Sequence, residues 1–143
     1  MTMERDDQAV IHPLRDEEIP AVITLWQAAG LVRPWNDPHT DITTALACAS
    51  STVLAAHAGN ALVGTVMAGF DGHRGWLYYL AVAEDHRRKG LGRALVAAAE
   101  AWLAERGAPK VQLMIRSENK AVADFYEKIG YERSDVMILG KRL

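Results

Sequence analysis

The order of apolar and polar positions along the chain predicts a mixture of strands and helices. A short strand is predicted near Val10–His12, and it is followed by a helix that Asp16 caps and Gly30 ends. Two prolines and several turn-forming residues in Arg33–Asp41 predict a loop, and a second, weaker helix is expected over about Ile42–Ala49. The first third of the chain is therefore predicted to be mainly helical.

From Val53 onward the apolar positions recur at the spacing of strands. Val53–His57 and Ala61–Phe70, joined by a turn at residues 58–60, predict a β-hairpin. After a second turn, Trp76–Val82 reads WLYYLAV, and its apolar residues do not alternate with polar ones. A strand without alternation is typical of one that is covered on both faces, so we expect this segment to lie centrally in the sheet.

The second half of the chain predicts further helices and strands in turn. A helix is expected over about Gly90–Arg106, a strand over Val111–Ile115, a helix that Asn119 caps and Gly130 closes, and a final strand around Val136–Leu139. The crossover through the first of these helices predicts a right-handed, parallel strand pair. We therefore expect one α/β domain over residues 1–143, without linkers or internal repeats.

Composition and charge narrow the class of protein. The chain of 143 residues has a formal net charge of -2, which gives it no general attraction for nucleic acid or an anionic membrane. Cys48 is its single cysteine, so no internal disulfide or cysteine-based zinc site is expected. The acidic N-terminal segment has no apolar targeting stretch. The prediction is a cytoplasmic protein that binds neither membranes nor nucleic acids.

One short stretch, HRRKGLGRAL, indicates a local site for an anion. Arg87, Arg88 and Lys89 repel one another, and Gly90 and Gly92 weaken the start of a helix. Free N–H groups at a helix N-terminus bind phosphate, and glycine lets a ligand approach the backbone closely. The spacing fits neither the Walker loop nor the dinucleotide fingerprint, so we expect a phosphate ligand bound in another way.

The motif R-x-x-G-x-G after a buried strand resembles the pyrophosphate loop of the GCN5-related N-acetyltransferases, the GNAT superfamily. Ser117–Tyr131, SENKAVADFYEKIGY, is similar to a second signature of that family, and RPWNDP and GFDGHRGW are similar to small bacterial acetyltransferases of the YpeA type. The resemblance implies the GNAT fold, a mostly antiparallel sheet with one parallel strand pair that splays. It also implies acetyl transfer from acetyl-CoA to a primary amine by direct attack, without a metal.

The resemblance assigns roles to particular residues. Tyr126 would be the catalytic acid that protonates the leaving thiolate, and Asn119 would contact the cofactor arm. The pantetheine would pair with the strand backbone, and an N–H near Val82 would polarise the thioester carbonyl. The pantetheine backbone positions are Leu80, Ala81 and Val82, and the pyrophosphate turn comprises Arg87, Arg88, Lys89, Gly90, Leu91, Gly92 and Arg93.

Each of these assignments has a purely structural alternative. Asn119 is equally well explained as a helix cap, Tyr126 as a residue at the edge of the core, and the basic run as a solvated turn. An Asp-x-His pair at Asp71 and His73 has no third metal ligand nearby in sequence. Four other histidines show no ligand spacing and are expected to be surface or cap residues; they are His12, His39, His57 and His86.

The general base and the acceptor are left open by the sequence. WLYYLAV lacks the strand carboxylate that many relatives use, so Asp71, His73, Glu118 and a chain of waters are the candidates for the base. Trp35, Asp37 and Asp41 could line a site for a cationic amine, but the two aspartates also suit a turn and a helix cap.

The expected partner is a small-molecule or peptide amine, and a homodimer is compatible with the sequence. A protein that binds acyl-CoA without catalysis is the alternative function, because the strand lacks the carboxylate. Binding of nucleic acid through the basic run fits poorly, since the cations are few and no aromatic residues alternate with them.

Overall fold

The computed structural model describes residues 9–143, and the acidic segment 1–8 considered above lies outside the described residues. The described chain contains a mixed five-stranded sheet in which the spatial order follows the chain order. Three neighbouring pairs are antiparallel and the last pair is parallel. The strands are β1 (Val10–Pro13), β2 (Ser51–Ala58), β3 (Ala61–Phe70), β4 (Gly75–Val82) and β5 (Val111–Leu113). The predicted mixed sheet with one parallel pair is confirmed.

Four α-helices cover the two faces of this sheet, as predicted. They are α1 (Ile19–Ala28), α2 (Pro38–Ala47), α3 (Leu91–Glu105) and α4 (Lys120–Lys128). Buried residues of α1 and α2 pack with one face of β2, while α3 packs with the opposite face and with Tyr126 of α4. Each face therefore has its own apolar core, and the sheet separates the two.

The helices of the first half differ in their starts from the sequence prediction. Asp16 lies in a short 3-10 turn, Asp16–Glu18, and α1 begins only at Ile19. Helix α2 begins at Pro38, earlier than expected, because proline suits the first helical position and the Asp37 carboxylate caps the helix by accepting from the His39 N–H at 3.0 Å. Asp37, not Asp41, is thus the cap.

Two further predictions are wrong. In the described chain, residues 131–143 contain no helix or strand, and Val136 and Leu139 are 76% and 89% exposed. Their apolar pattern suits a strand, but a strand also needs a neighbouring backbone with which to form hydrogen bonds. His12 and His57, expected as surface or cap residues, stack on one another with 4.7 Å between ring centroids, and their side chains are 19% exposed.

Two glycines of the sheet face buried leucines of helix α3. A Cβ on Gly64 of β3 would lie 2.8 Å from Cδ1 of Leu95, and one on Gly75 of β4 would lie 2.8 Å from Cδ1 of Leu103. Both leucines are fully buried. The absence of side chains at these glycines therefore sets the separation between α3 and the strands that carry the site. Within residues 9–143, no helix is both long and apolar enough to span a membrane.

Candidate active site

Strand β4 contains a β-bulge at Tyr79 and Leu80. Thr65 of β3 pairs with Ala81, whereas Met67 pairs with Tyr78, so two residues of β4 stand opposite Val66. Tyr79 has a φ of 53°, a left-handed conformation that is uncommon for a bulky residue. The bulge thus marks the place where the regular ladder between β3 and β4 is interrupted.

The bulge reverses the direction of the N–H groups along β4. The Gly75 N–H donates to the Lys110 carbonyl on the β5 side at 2.8 Å, but the Ala83 N–H donates to the Val63 carbonyl on the β3 side at 2.8 Å. In a regular strand these two odd-numbered positions would face the same neighbour, so one extra residue lies between them. Beyond the bulge, the N–H groups of Leu80 and Val82 consequently face away from β3.

The side to which these N–H groups point is open. Registered pairs between β4 and β5 run from Gly75 with Val111 to Leu77 with Leu113, where β5 ends. Strand β4 continues to Val82, so its last residues have separated from β5. The sequence predicted that β4 is covered on both faces. This prediction is correct at Leu77, which is buried, but not at Tyr78, which is 42% exposed.

Three side chains hold the bulge in place. The indole N–H of Trp26 donates to the hydroxyl of Thr65 at 2.8 Å, and that hydroxyl donates to the Tyr79 carbonyl at 3.0 Å. The rings of Trp26 and Tyr79 are stacked with 3.7 Å between centroids and 3° between planes. Trp26 and Thr65 are completely buried. The Thr65 hydroxyl therefore gives the Tyr79 carbonyl a hydrogen-bond partner in place of one from the strand ladder.

Asp41 meets the bulge from helix α2. The Tyr79 hydroxyl donates to Oδ2 of Asp41 at 2.7 Å. Burial, followed by this contact with the carboxylate, raises the pKa of Tyr79 well above its ordinary value, while a hydrogen bond from Asn36 opposes that rise. A carboxylate therefore stands beside β4 although the strand itself has none. Asp41 and Tyr79 are thirty-eight residues apart, so no local sequence pattern predicts that they pair.

The glycine turn before α3 has the geometry of an anion site. Arg88 and Gly90 both have positive φ, 64° and 81°, and Gly90 precedes the helix without any side-chain cap. The N–H groups of Leu91, Gly92 and Arg93 belong to the first turn and have no partners inside the helix. The positive end of the helix dipole adds to their attraction for a phosphate group.

Two residues connect this turn to neighbouring elements. Nε of the exposed Arg87 donates to the Val82 carbonyl at 3.1 Å and ties the turn to the end of β4. A Cβ on Gly92 would lie 3.4 Å from Cζ of Phe125, so α4 packs against the start of α3 at this glycine. The side chains of Arg88 and Lys89 are exposed, as is that of Arg93.

Helix α4 carries the other two predicted site residues. Asn119 caps it, with Oδ1 accepting from the Val122 N–H at 3.4 Å. Tyr126 is 6% exposed and packs edge-on against Phe125 and Tyr131, with 5.0 and 5.3 Å between ring centroids. Burial alone raises the pKa of Tyr126 to about 12, so its hydroxyl remains protonated throughout the neutral range.

Two of the candidate bases lie at the wrong end of β4. The Asp71 carboxylate accepts from the N–H groups of His73 and Arg74 at 2.8 and 2.7 Å, and these bonds lower its pKa. The turn that holds Asp71 and His73 precedes Gly75, roughly 20 Å along the strand from Val82. Asp71 is therefore a turn-stabilising residue. Glu118 lies exposed in the segment between β5 and α4.

A splayed strand with outward N–H groups, next to an uncapped helix N-terminus, defines a site for an amide-rich chain that ends in phosphate. The sequence profile described as the acetyltransferase (GNAT) family matches residues 16–131. The chain therefore belongs to the GNAT family of acetyltransferases, as its motifs predicted, and it is an enzyme of that class.

Relatives and solved structures agree with this membership. An acetyltransferase of Pectobacterium atrosepticum, ECA0875, is 47% identical over 133 residues, which cover 93% of this chain and 94% of that protein. The fold matches AAC(6')-Iy in complex with a bisubstrate analogue of CoA and acetylneamine, with a TM-score of 0.82, 16% identity and coverage of 95% and 99%. It also matches the ribosomal-protein-S18-alanine N-acetyltransferase from Escherichia coli, with a TM-score of 0.75, 20% identity and coverage of 89% and 79%.

Proposed function

We propose that the protein transfers the acetyl group of acetyl-CoA to a primary amine by direct attack on the thioester. The observation that carries this proposal is the bulge in β4, which turns the N–H groups of Leu80 and Val82 toward the splay. An extended pantetheine arm can pair with Leu80, Ala81 and Val82 as an added strand. The N–H of Val82 then donates to the thioester carbonyl, where negative charge develops during attack.

The turn before α3 binds the pyrophosphate in this proposal. The backbone N–H groups from Arg88 to Arg93 supply the hydrogen bonds, and the exposed cations of Arg88, Lys89 and Arg93 add charge. Arg87 fixes the distance between the two parts of the site through its bond to the Val82 carbonyl. Asn119 has amide N–H groups available for the pantetheine arm while its oxygen caps α4.

Asp41 supplies the carboxylate that β4 lacks. A protonated amine binds near Asp41, loses a proton to this carboxylate or through the Tyr79 hydroxyl bonded to it, and attacks the carbonyl carbon. A C–N bond forms, the C–S bond breaks, and the electron pair leaves with the thiolate. The nitrogen of the new amide releases its second proton to water, which also returns a proton to Tyr126 after turnover. Tyr126, which is protonated at neutral pH, donates its proton to that thiolate.

An Asp41→Asn variant tests this assignment. Asparagine preserves the acceptor for the Tyr79 hydroxyl but removes the negative charge, so we expect kcat/KM for any accepted amine to fall by about 10² to 10⁴. The affinity for acetyl-CoA should stay within a few-fold of the parent. Asp37→Asn is the matched control, because asparagine caps a helix as well as aspartate does. Equal turnover of parent and Asp41→Asn would remove Asp41 from the mechanism.

The acceptor class follows from charge and from the fold neighbours. Asp41 in the first turn of α2 and the exposed ring of Trp35, in the loop before that helix, suit a cationic small molecule. One fold neighbour was solved with an acetylneamine analogue and another is named for an alanine of ribosomal protein S18. A panel of polyamines, aminoglycosides and peptides assayed for free thiol distinguishes a small-molecule acceptor from a peptide. Binding of CoA without turnover of any panel member would favour the alternative of a non-catalytic acyl-CoA-binding protein.

A homodimer in the cytoplasm is the assembly that we propose. Two features support it: the exposed apolar run Val136–Leu139 and the edge strand β5. Strand β5 borders a groove of about 900 Å³ that is lined in part by Val136 and Ile138. Sedimentation of the full chain should show a dimer, and a chain ending at Ser134 should sediment as a monomer. Identical sedimentation of the two proteins would contradict a dimer built on this segment.

A further inference from the structure

A cluster of two histidines and one glutamate lies at the β1 edge of the sheet, apart from every residue assigned above. His12 is on β1, His57 is on β2 and Glu18 is in the turn before α1. The two imidazoles are 19% exposed and the Glu18 side chain is 10% exposed. Three groups that ligate metals are thus brought together from separate parts of the chain and largely shielded from solvent.

The hydrogen bonds around the cluster orient His12 and Glu18 toward its centre. A carbonyl only accepts, so Nδ1–H of His12 donates to the Pro13 carbonyl at 2.8 Å, which directs Nε2 at the cluster. There Nε2 accepts from Nδ1–H of His57 at 2.7 Å, a hydrogen bond that a bound metal ion would replace. Oε1 of Glu18 accepts from the Arg15 N–H at 2.8 Å, which leaves Oε2 for the histidines. Metal-binding histidines and carboxylates are ordinarily fixed by outer contacts of this kind.

The distances inside the cluster are close to those of a metal site. Oε2 of Glu18 lies 2.7 Å from Nε2 of His57 and 3.8 Å from Nε2 of His12. One ligand atom from each residue can be chosen so that all three lie within 4.8 Å of one another. Bonds of about 2.0–2.2 Å to a tetrahedral zinc ion place ligand atoms roughly 3.3–3.5 Å apart, so small side-chain rotations suffice.

We propose that His12, Glu18 and His57 form a site for a divalent transition-metal ion, with Zn²⁺ as the probe. Imidazole nitrogens favour zinc and its neighbours over Mg²⁺ and Ca²⁺, which prefer all-oxygen sites. The ion links β1, β2 and the entry to α1, so its role is structural. This proposal departs from the sequence prediction of no metal, in which His12 and His57, forty-five residues apart, showed no ligand spacing.

Titration of the full chain with Zn²⁺ tests the proposal. The protein carries no added histidine tag, is treated with a chelator, and has the Cys48→Ser change so that the exposed thiol cannot bind the ion. Calorimetry should show one Zn²⁺ per chain. Excess Zn²⁺ should raise Tm by roughly 5 °C or more, because a ligand that binds only the folded state stabilises it, whereas Mg²⁺ should not.

Variants locate the site. Because even an outer contact contributes 10- to 100-fold to metal affinity, His57→Gln and Glu18→Gln should each weaken Zn²⁺ binding by about 100-fold or more. Glu18→Gln keeps an acceptor for the Arg15 N–H, so the fold should be retained. His39→Gln, at an exposed position of α2, is the control and should bind like the parent. Circular dichroism and CoA binding check each fold. Unchanged affinity in folded Glu18→Gln, or no stoichiometric binding by the parent, overturns the proposal.

Discussion

Three tyrosines around the site have raised pKa values for different reasons. Burial and then a carboxylate act on Tyr79 and Tyr131, whose hydroxyls donate to Asp41 and Glu100 at 2.7 Å. Burial alone acts on Tyr126. The first two hydroxyls are therefore committed to internal hydrogen bonds, whereas that of Tyr126 is available to a substrate. This difference supports Tyr126 as the general acid, although its position on the helix would equally suit a residue at the edge of the core.

Tyr126→Phe should reduce turnover by roughly 10²-fold, the usual scale for loss of a positioned general acid. The ring is retained, so its packing against Phe125 and Tyr131 should survive and the affinity for acetyl-CoA should change little. Steady-state rates with an accepted amine and calorimetry with CoA measure both quantities. Parental turnover in the Phe variant would make Tyr126 a packing residue only.

Tyr126 should also cause the folded protein to lose stability at alkaline pH. Its pKa is about 12 in the folded protein against about 10 for an exposed tyrosine, so burial favours the protonated form. The contribution is complete below pH 10 and is lost as pH rises through 12. Parallel melting curves of parent and Tyr126→Phe should therefore diverge between these values, with the parent losing more stability. Parallel loss in both proteins would show that the Tyr126 hydroxyl is not desolvated.

At the scale of elements, we expect the turn and helix α3 to act as one anion-binding unit. Lys89→Glu reverses an exposed charge without changing the backbone, so we expect CoA affinity to fall by roughly 10-fold at low salt, and by less at high salt because of screening. Lys110→Glu, exposed just before β5, is the matched control for net charge. Equal losses in the two variants would indicate a general charge effect in place of a pyrophosphate site.

The close approach of α3 to the sheet predicts unequal tolerance of alanine within β3. Gly64→Ala places a Cβ against Leu95 and 3.2 Å from the Ala81 carbonyl, so unfolding free energy should fall by about 1–3 kcal/mol. Gly69→Ala meets only ordinary contact with Ser51 at 3.6 Å and should cost nothing or stabilise slightly. Urea denaturation of both variants measures the difference, and equal stabilities would contradict the packing argument.

For the whole molecule, periodicity predicted most elements but few of the contacts between them. The hairpin, the parallel pair and α3 follow from local spacing and glycine signals, and these were confirmed. The pairing of Asp41 with Tyr79 joins distant segments, so no local pattern carries it. The strand expected at Val136–Leu139 shows the reverse case, since local pattern was present but a neighbouring backbone was not.

The bulge in β4 makes the length of this strand as important as its composition. If one residue were deleted between Tyr78 and Ala81, Ala81 could remain opposite Thr65 in an unbroken ladder with β3. The left-handed turn that presents the Tyr79 ring to Trp26 and its hydroxyl to Asp41 would then be lost. Evolution can therefore vary residue types here to change the acceptor, whereas insertions and deletions in this segment should be strongly selected against.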